Sequence, residues 1–314
     1  MPQAKKYQRK RSNLIKKRQN STKFGKPSMW RKKQNRQLID RRFLNSSIEL
    51  LKNSSLLNML KPVDEGKMAC TWLVEIEWED GIQTRAYLKA FPLNHSLGVL
   101  NEITGYILAK KSGLPVSTRA GIIPMPAGLF PNMSELDPNA FVSSEVPGQS
   151  PNSIYNLPDN VTKEQLAPVI ELLRDWKYLP NCLAFDDWTA NTDRHCGNVI
   201  FSGHGKLYMI DHSNLPIGIA WKSSQLVDDY DYENRLATLI NFAEKSELYQ
   251  KVEVSSAATS HPDYYKLAYN DLKHWWDILL HGDKDRRISL ERFIKNRASS
   301  SHQRICASLQ ILEV

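Results

Sequence analysis

The sequence predicts an α+β chain in which a small strand-rich part precedes a larger helical part, with a basic arm in front of both. Three observations carry that expectation. Apolar residues alternate with period two around residues 68–90, they recur at three and four residues from 162 onward, and charge is split between the first 42 residues and the rest. Residues 1–42 hold sixteen Lys or Arg against the single acid Asp40, a charge of +15, so with a formal net charge of +8 the other 272 residues carry −7. The basic character therefore belongs to the arm, and the body is mildly acidic.

A length of 314 residues leaves room for one large domain or two modest ones. Cys70, Cys182, Cys196 and Cys306 lie far apart with no CxxC pair, which argues against a disulfide framework or a zinc ribbon. No run of about eighteen apolar residues is present, so no transmembrane helix is expected. The basic N-terminus has no apolar segment behind it of the kind a secretory leader needs, and a cytoplasmic location is the expectation.

Taken in order, residues 1–36 are rich in Lys, Arg, Asn, Gln and Ser and bury too little apolar surface to offset chain ordering, so they are expected to be disordered or to fold on contact. Leu38, Ile39, Phe43 and Leu44 have helical spacing, as do Leu50, Leu51, Leu56 and Leu57, which suggests weak helix there. Lys61-Pro62 reads as the boundary of the arm. Trp72, Val74, Ile76 and Trp78 then alternate with Leu73, Glu75 and Glu77 as a strand with one buried face, Glu79-Asp80-Gly81 signals a turn, and Thr84 to Ala90 returns. Leu97, Leu100, Thr104, Ile107, Leu108 and Lys111 mark a helix closed by Gly113. Residues 118–123 and 140–145 read as strands around a loop at 124–139. Thr162 to Gln165 fits a capping box for a helix running to Lys177. Val199 to Phe201 and Leu207 to Ile210, joined by Ser202-Gly203-His204-Gly205, form a hairpin, and helices are expected over 224–249, 264–281 and 285–311. Of Trp275-Trp276, one is expected in the core and one partly exposed. Three units result: an arm over 1–61, a strand-rich unit over 62–148 and a helical unit over 149–314.

The stretch Asn191-Thr192-Asp193-Arg194-His195-Cys196-Gly197-Asn198, followed by the hairpin and Ile210-Asp211-His212-Ser213, carries the chemistry. A hairpin returns its end to its beginning, so Asn198 and Asp211 should sit side by side as two oxygen ligands, a hard-cation site suited to Mg²⁺. Asp193, in the same loop, is near enough to orient a hydroxyl toward a phosphate on that metal, and Asp-x4-Asn is the spacing of a kinase catalytic loop. Upstream, Lys89 lies on the returning strand and Glu102 in the first turns of the next helix, an order that matches a phosphate-binding Lys fixed by a helix Glu. Each of these residues alone reads as an ordinary turn or surface residue; the ordered set points to function. His195 has two readings, a general base beside Asp193 or a side chain that holds the loop. Cys196 reads as a small hydrophobe, and no His/Cys set has metal-ligand spacing.

At these residues the chain resembles the HipA-like serine/threonine kinases: Asn101-Glu102, Gly113-Leu114-Pro115-Val116, the Asn-Thr-Asp-Arg-His-Cys-Gly-Asn string and Ile-Asp-His are similar to theirs across residues 65–285. It is most like the short bacterial and phage group. The resemblance implies a bilobal protein-kinase-like fold and ATP- and Mg²⁺-dependent transfer of a γ-phosphoryl group to a Ser or Thr hydroxyl, with a protein as the expected substrate. It makes Asp193 the catalytic Asp, Asn198 and Asp211 the Mg²⁺ ligands, and Lys89 with Glu102 the ion pair that positions ATP. Ser144-Glu145-Val146 would be the hinge whose backbone meets adenine. The chain departs from a Gly-x-Gly-x-x-Gly loop, since Asp64 to Ala69 has one glycine, and the arm maps onto no part of the family. The Asp-Arg-His-x-x-Asn string is shared with phosphatidylinositol kinases, which keeps a small-molecule or lipid substrate open. Basic clusters interleaved with Tyr7, Phe24 and Trp30 make nucleic acid or another polyanion a possible partner of residues 1–42, and a nucleic-acid-binding pseudokinase is the alternative from a different class.

Overall fold

A computed structural model describes residues 46–63, 68–126, 128–130, 133–155 and 162–312. By its contacts the chain divides into Met1–Ser46 and Ser47–Val314, and the second unit holds the sheet and the helices. The expectations of disorder over 1–36 and helix over 38–44, and the residues Asp64 to Lys67 of the single-glycine loop, lie outside the described residues.

The architecture is mixed α and β, with one six-stranded sheet in the first part of the chain and helices dominating the second. In chain order the strands are β1 (Glu49–Leu50), β2 (Leu56–Val63), β3 (Cys70–Glu77), β4 (Gln83–Pro92), β5 (Ala120–Pro124) and β6 (Leu136–Ser144). They lie side by side as β1-β5-β6-β4-β3-β2, antiparallel except for the β1–β5 pair. The β3–β4 hairpin closes where the sequence predicted, with Gly81 at φ +80° and its N–H donating to the Trp78 carbonyl.

Period two fixes what each face of the sheet does. Val74, Ile76, Ala86, Leu88, Ala90, Ile123, Ala140 and Val142 form one apolar cluster with Leu51 and Trp78, while Ile122 and Phe141 point the other way into the larger core shared with the helices. Residues 50–57 form no α-helix, contrary to their spacing, and their only helical turn is a 3₁₀ turn at Asn53–Ser55. Leu51 is buried in the first cluster, and Leu56 to Val63 pair with β3 as the sheet's edge strand. Pairing with a sheet that is already formed outweighs a weak local helical preference. Pro62, expected at a boundary, sits inside this strand, where an edge position tolerates the missing N–H. The unit that carries the sheet thus starts near residue 47 rather than 62. β6 likewise takes 136–139 out of the predicted loop, with Asn139 paired to Pro124.

Helix α1 (Gly98–Lys111) is buried from residue 98 to residue 109 and ends in Ser112, then Gly113 at φ +69°. The Leu114 N–H donates to the Ala109 carbonyl, so the predicted glycine stop is made by a Schellman-type closure. After α2 (Pro151–Tyr155) comes α3 (Lys163–Arg174), which opens on the predicted capping box, with the Thr162 side chain accepting from the Gln165 N–H and the Gln165 side chain from the Thr162 N–H.

Helix α4 (Leu179–Thr189) was not predicted. It buries Leu179, Cys182, Leu183, Ala184, Phe185, Asp186, Trp188 and Thr189, so it has no polar stripe from which a period could be read. The hairpin of β7 (Val199–Phe201) and β8 (Leu207–Met209) forms as expected.

The helix expected over 224–249 is instead a 3₁₀ turn at Ser223–Gln225, an acidic loop, α5 (Arg235–Leu239) and α6 (Phe242–Lys245). Asn234 caps α5 by accepting from the Ala237 N–H, and Asn241 at φ +48° separates α5 from α6. Buried Arg297 takes the carbonyls of Asp228 and Tyr230, which fixes the acidic loop in a non-helical path. Then α7 (Leu248–Ala258), α8 (His261–Leu279) and α9 (Lys284–Leu309) complete the chain. Trp275 and Trp276 are both buried, against the expectation of one exposed ring, because α8 is covered by α1 as well as α9, and Trp276 Nε1 donates to Thr104 Oγ1 of α1 at 2.9 Å. Among the described residues no helix is long and apolar enough to cross a membrane.

Candidate functional site

Lys89 sits in mid-strand on β4, opposite Thr71 of β3 and Phe141 of β6. Cross-strand partners share a face, so Lys89 points with Phe141 toward the helices rather than with Leu88 into the other cluster. There it meets α1. Lys89 Nζ lies 2.5 Å from Glu102 Oε1 and 3.2 Å from Asp211 Oδ1. The other Glu102 oxygen accepts the His212 N–H at 3.1 Å, so this carboxylate, 1% exposed, is engaged on both sides.

The approach of α1 to residues 211–215 depends on Gly105. A Cβ built there would stand 2.3 Å from the Cβ of His212. Beside it, Asn101 donates to the Ser213 carbonyl at 2.7 Å and accepts from Trp221 Nε1 at 3.1 Å. Asp211 itself has φ +59°, a conformation held by Ser213, whose N–H and hydroxyl donate to Asp211 Oδ1 at 3.2 and 2.7 Å. Burial alone would raise the Asp211 carboxyl; the Lys89 ammonium and the Ser213 donors override it and hold the group well below the usual carboxylate range. The same pairing raises Lys89 against the burial that would lower it, with Asp211 and then Glu102 responsible.

The other half of the site is the loop between α4 and β7. Arg194, fully buried, sets Nε 3.0 and 2.9 Å from the two oxygens of Asp186 on α4 and donates from Nη1 to the Ile210 carbonyl at 2.9 Å. The segment before Asp211 is thereby tied to the helix that enters the loop. The hairpin sets Asn198 opposite Ile210, the residue before Asp211, with the Ile210 N–H donating to the Asn198 carbonyl at 3.0 Å. Asn198 Nδ2 donates to the Asp193 carbonyl at 3.0 Å, which leaves Oδ1 as the free atom of the amide. Asp193 accepts from Asn214 Nδ2 on Oδ2 at 2.7 Å and pairs through Oδ1 with Nη1 of Arg235.

Lys89, Glu102 and Asp211 are therefore in direct contact, while Asp193 and Asn198 are hydrogen-bonded to each other and linked to the segment before Asp211 by the Ile210–Asn198 backbone bond. His195 Nδ1 accepts the Gly197 N–H at 3.0 Å and caps the 3₁₀ turn Cys196–Asn198, which favours the loop-holding reading of this residue. Burial lowers the imidazole from its ordinary value. Glu145 donates its N–H to the Arg85 carbonyl and pairs with Arg85 Nε at 2.6 Å, and Val146 is buried. Just beyond, Gln149 exchanges two backbone bonds with Phe201 of β7. The approach needs Gly148, at φ +126°, where a Cβ would fall 2.0 Å from the Phe201 carbonyl oxygen.

The donor set fits a divalent hard cation. Lys89 faces two carboxylates, leaving the cluster one negative charge in surplus, and Asp211 Oδ2 and Asn198 Oδ1 have no hydrogen-bond partner among the described residues. Among those residues no three His, Cys, Asp or Glu side chains converge on a metal, so the ion would need ligand oxygens from a phosphate and water. The sequence alone assigns no role to Asp186, Arg194, Asn214 or Arg235. Arg194 lies inside the informative string, but the partner that explains it is on an unpredicted helix, and nothing in the sequence marks Arg235. No protein-family model matches the chain, and no curated protein matches it.

Proposed function

We propose that the chain is an ATP- and Mg²⁺-dependent kinase of the HipA-like type, with the sheet and α1 as the small lobe and α3 to α9 as the large lobe of a protein-kinase-like fold. The observation that carries this reading is Lys89 Nζ bridging Glu102 at 2.5 Å and Asp211 at 3.2 Å, residues 13 and 122 positions apart in sequence, with Asn198 bonded through its carbonyl to Ile210, the residue before Asp211. Lys89, fixed by Glu102, meets the α- and β-phosphates. Asn198 and Asp211 would hold Mg²⁺, which would supply charge neutralisation for the nucleotide phosphates. The backbone at Ser144-Glu145-Val146 takes the adenine edge. Asp193 orients the acceptor hydroxyl and receives its proton, while Asn214 holds the carboxylate in place. The acceptor is a Ser or Thr hydroxyl, and a protein is the favoured carrier.

Incubation of wild type and Asp211→Ala with γ-labelled ATP, Mg²⁺ and a panel of protein and small-molecule acceptors tests the reading. Wild type should transfer label, and the variant should do so about 10³-fold more slowly, the loss expected when one electrostatic element of a preorganised site is removed. Equal transfer by both proteins, or none by a folded wild type, would remove the enzyme claim.

A further inference from the structure

Arg235 takes no part in the transfer chemistry, yet it holds the oxygen that the transfer needs. Its backbone is fixed. Asn234, just before it, caps α5 and also donates from Nδ2 to the Leu183 carbonyl of α4 at 2.8 Å. Leu236 and Ile240 are buried, and Arg174 Nη2 donates to the Ile240 carbonyl at 2.5 Å. α5 is thus anchored to the same helix that leads into the Asp193 loop. The side chain is another matter: it is 50% exposed where it pairs with an Asp193 that is itself 34% exposed. A guanidinium on a fixed base, in an open contact, can leave one partner without disturbing the fold.

We propose that Arg235 makes Asp193 select a bound hydroxyl acceptor over water, an inference that rests on the kinase reading. In the transfer step the acceptor oxygen forms a bond to the γ-phosphorus while the bond from that phosphorus to the β–γ bridging oxygen breaks. The electron pair leaves with the nucleoside diphosphate, and the acceptor proton passes to Asp193. Water at the same place undergoes the same step and yields inorganic phosphate. Arg235 stands against both in equal measure, since an oxygen already engaged in a charge-assisted hydrogen bond is a weaker acceptor for a second. The difference lies in what each competitor brings. An acceptor held by contacts elsewhere can use that binding to displace the guanidinium, and a water molecule has no such contacts.

The test is Mg²⁺·ATP hydrolysis by the full chain without acceptor, comparing wild type, Arg235→Gln, Arg235→Lys and Asp193→Asn/Arg235→Gln. Arg235→Gln should hydrolyse ATP about two- to fivefold faster than wild type at low salt, the factor that an exposed ion pair corresponds to. The gap should narrow toward about 1 M salt, where the pair is screened, and the double variant should lose the gain. Arg235→Lys, which keeps the charge, should stay near wild type, and Arg235→Met, which also removes the pair, serves if the Gln variant folds poorly. Hydrolysis by Arg235→Gln that is unchanged or slower, with the ATP-induced rise in melting temperature intact, overturns the role of Arg235 and leaves the kinase reading standing. No hydrolysis by any variant and no such rise in wild type removes both.

Discussion

Two carboxylates of the site are held in opposite ways. Glu102 is 1% exposed, and its two oxygens are committed to Lys89 and to the His212 backbone. Asp193 is 34% exposed, with one oxygen on Asn214 and the other on an arginine that is half in solvent. The first arrangement is set by packing: α1 is buried along most of its length, and Gly105 lets it close onto the segment after Asp211. The second is set by side chains that can exchange partners. Under the proposed kinase reading, a site that grips the phosphates of one common substrate and admits varied acceptors has reason to be stiff at the first end and yielding at the second.

The largest effect should come from Lys89→Met, because it strikes the stiff end twice. On the proposed kinase reading it removes the phosphate contact, at about 10³-fold in label transfer, and it leaves the Glu102 carboxylate buried without a cation, at about 3–5 kcal/mol of stability. Urea unfolding together with the transfer assay would separate the two losses. Asp211→Ala should lose less stability than Lys89→Met, since Lys89 still neutralises Glu102. If Lys89→Met unfolds no more easily than Asp211→Ala, the cluster is not a rigid element, and the contrast with Asp193 fails.

Arg194→Met should rank next. Both partners of the Arg194–Asp186 pair are fully buried, so losing the guanidinium strands a carboxylate, at about 3–5 kcal/mol by urea unfolding. Asp186→Leu combined with Arg194→Met should recover part of that stability. It should not recover label transfer, because the Ile210 carbonyl stays without the Nη1 donor that steadies the approach to Asp211. Full recovery of both would mean that the pair supports the core and not the site.

The stiff end was also the more legible one. Lys89 lies on a strand marked by clear alternation, Glu102 on a helix marked by its stripe and by Gly113, and Asp211 at the end of a hairpin whose turn is written in Ser202 to Gly205. Local patterns placed each of the three on its element, and the expectation that they meet came from the kinase-like order and resemblance. What escaped was structure fixed by distant contacts. α4 carries no stripe because it is buried on most sides. Leu56 and Leu57 share helical spacing with Leu50 and Leu51, yet Leu56 to Val63 become a strand because β3 offers an open edge. The segment 226–234 leaves the helical path because Arg297, more than sixty residues later, takes its carbonyls. Arg235 comes directly after that loop, so its position beside Asp193 could not be read until the loop was known.

The smallest effect separates the two readings of His195. Its Nδ1 accepts the Gly197 N–H, so the neutral ring carries its proton on Nε2 and has no free acceptor for a substrate hydroxyl. His195→Asn keeps an acceptor in a similar place and should lower transfer by less than about threefold, whereas His195→Ala loses the cap, at about 1 kcal/mol of stability. The pH dependence has a definite sign. Burial depresses the imidazole, so as pH falls through its ordinary value of about 6.5 the unfolded chain takes up a proton that the folded ring refuses. Stability contributed by the neutral ring is therefore present above that pH and declines below it until the folded group titrates. His195→Asn should flatten this part of the stability profile and leave the shape of the rate profile alone. Loss of an acid limb from the rate profile in His195→Asn would instead make the imidazole a working base, and the yielding end of the site would then hold two proton acceptors rather than one.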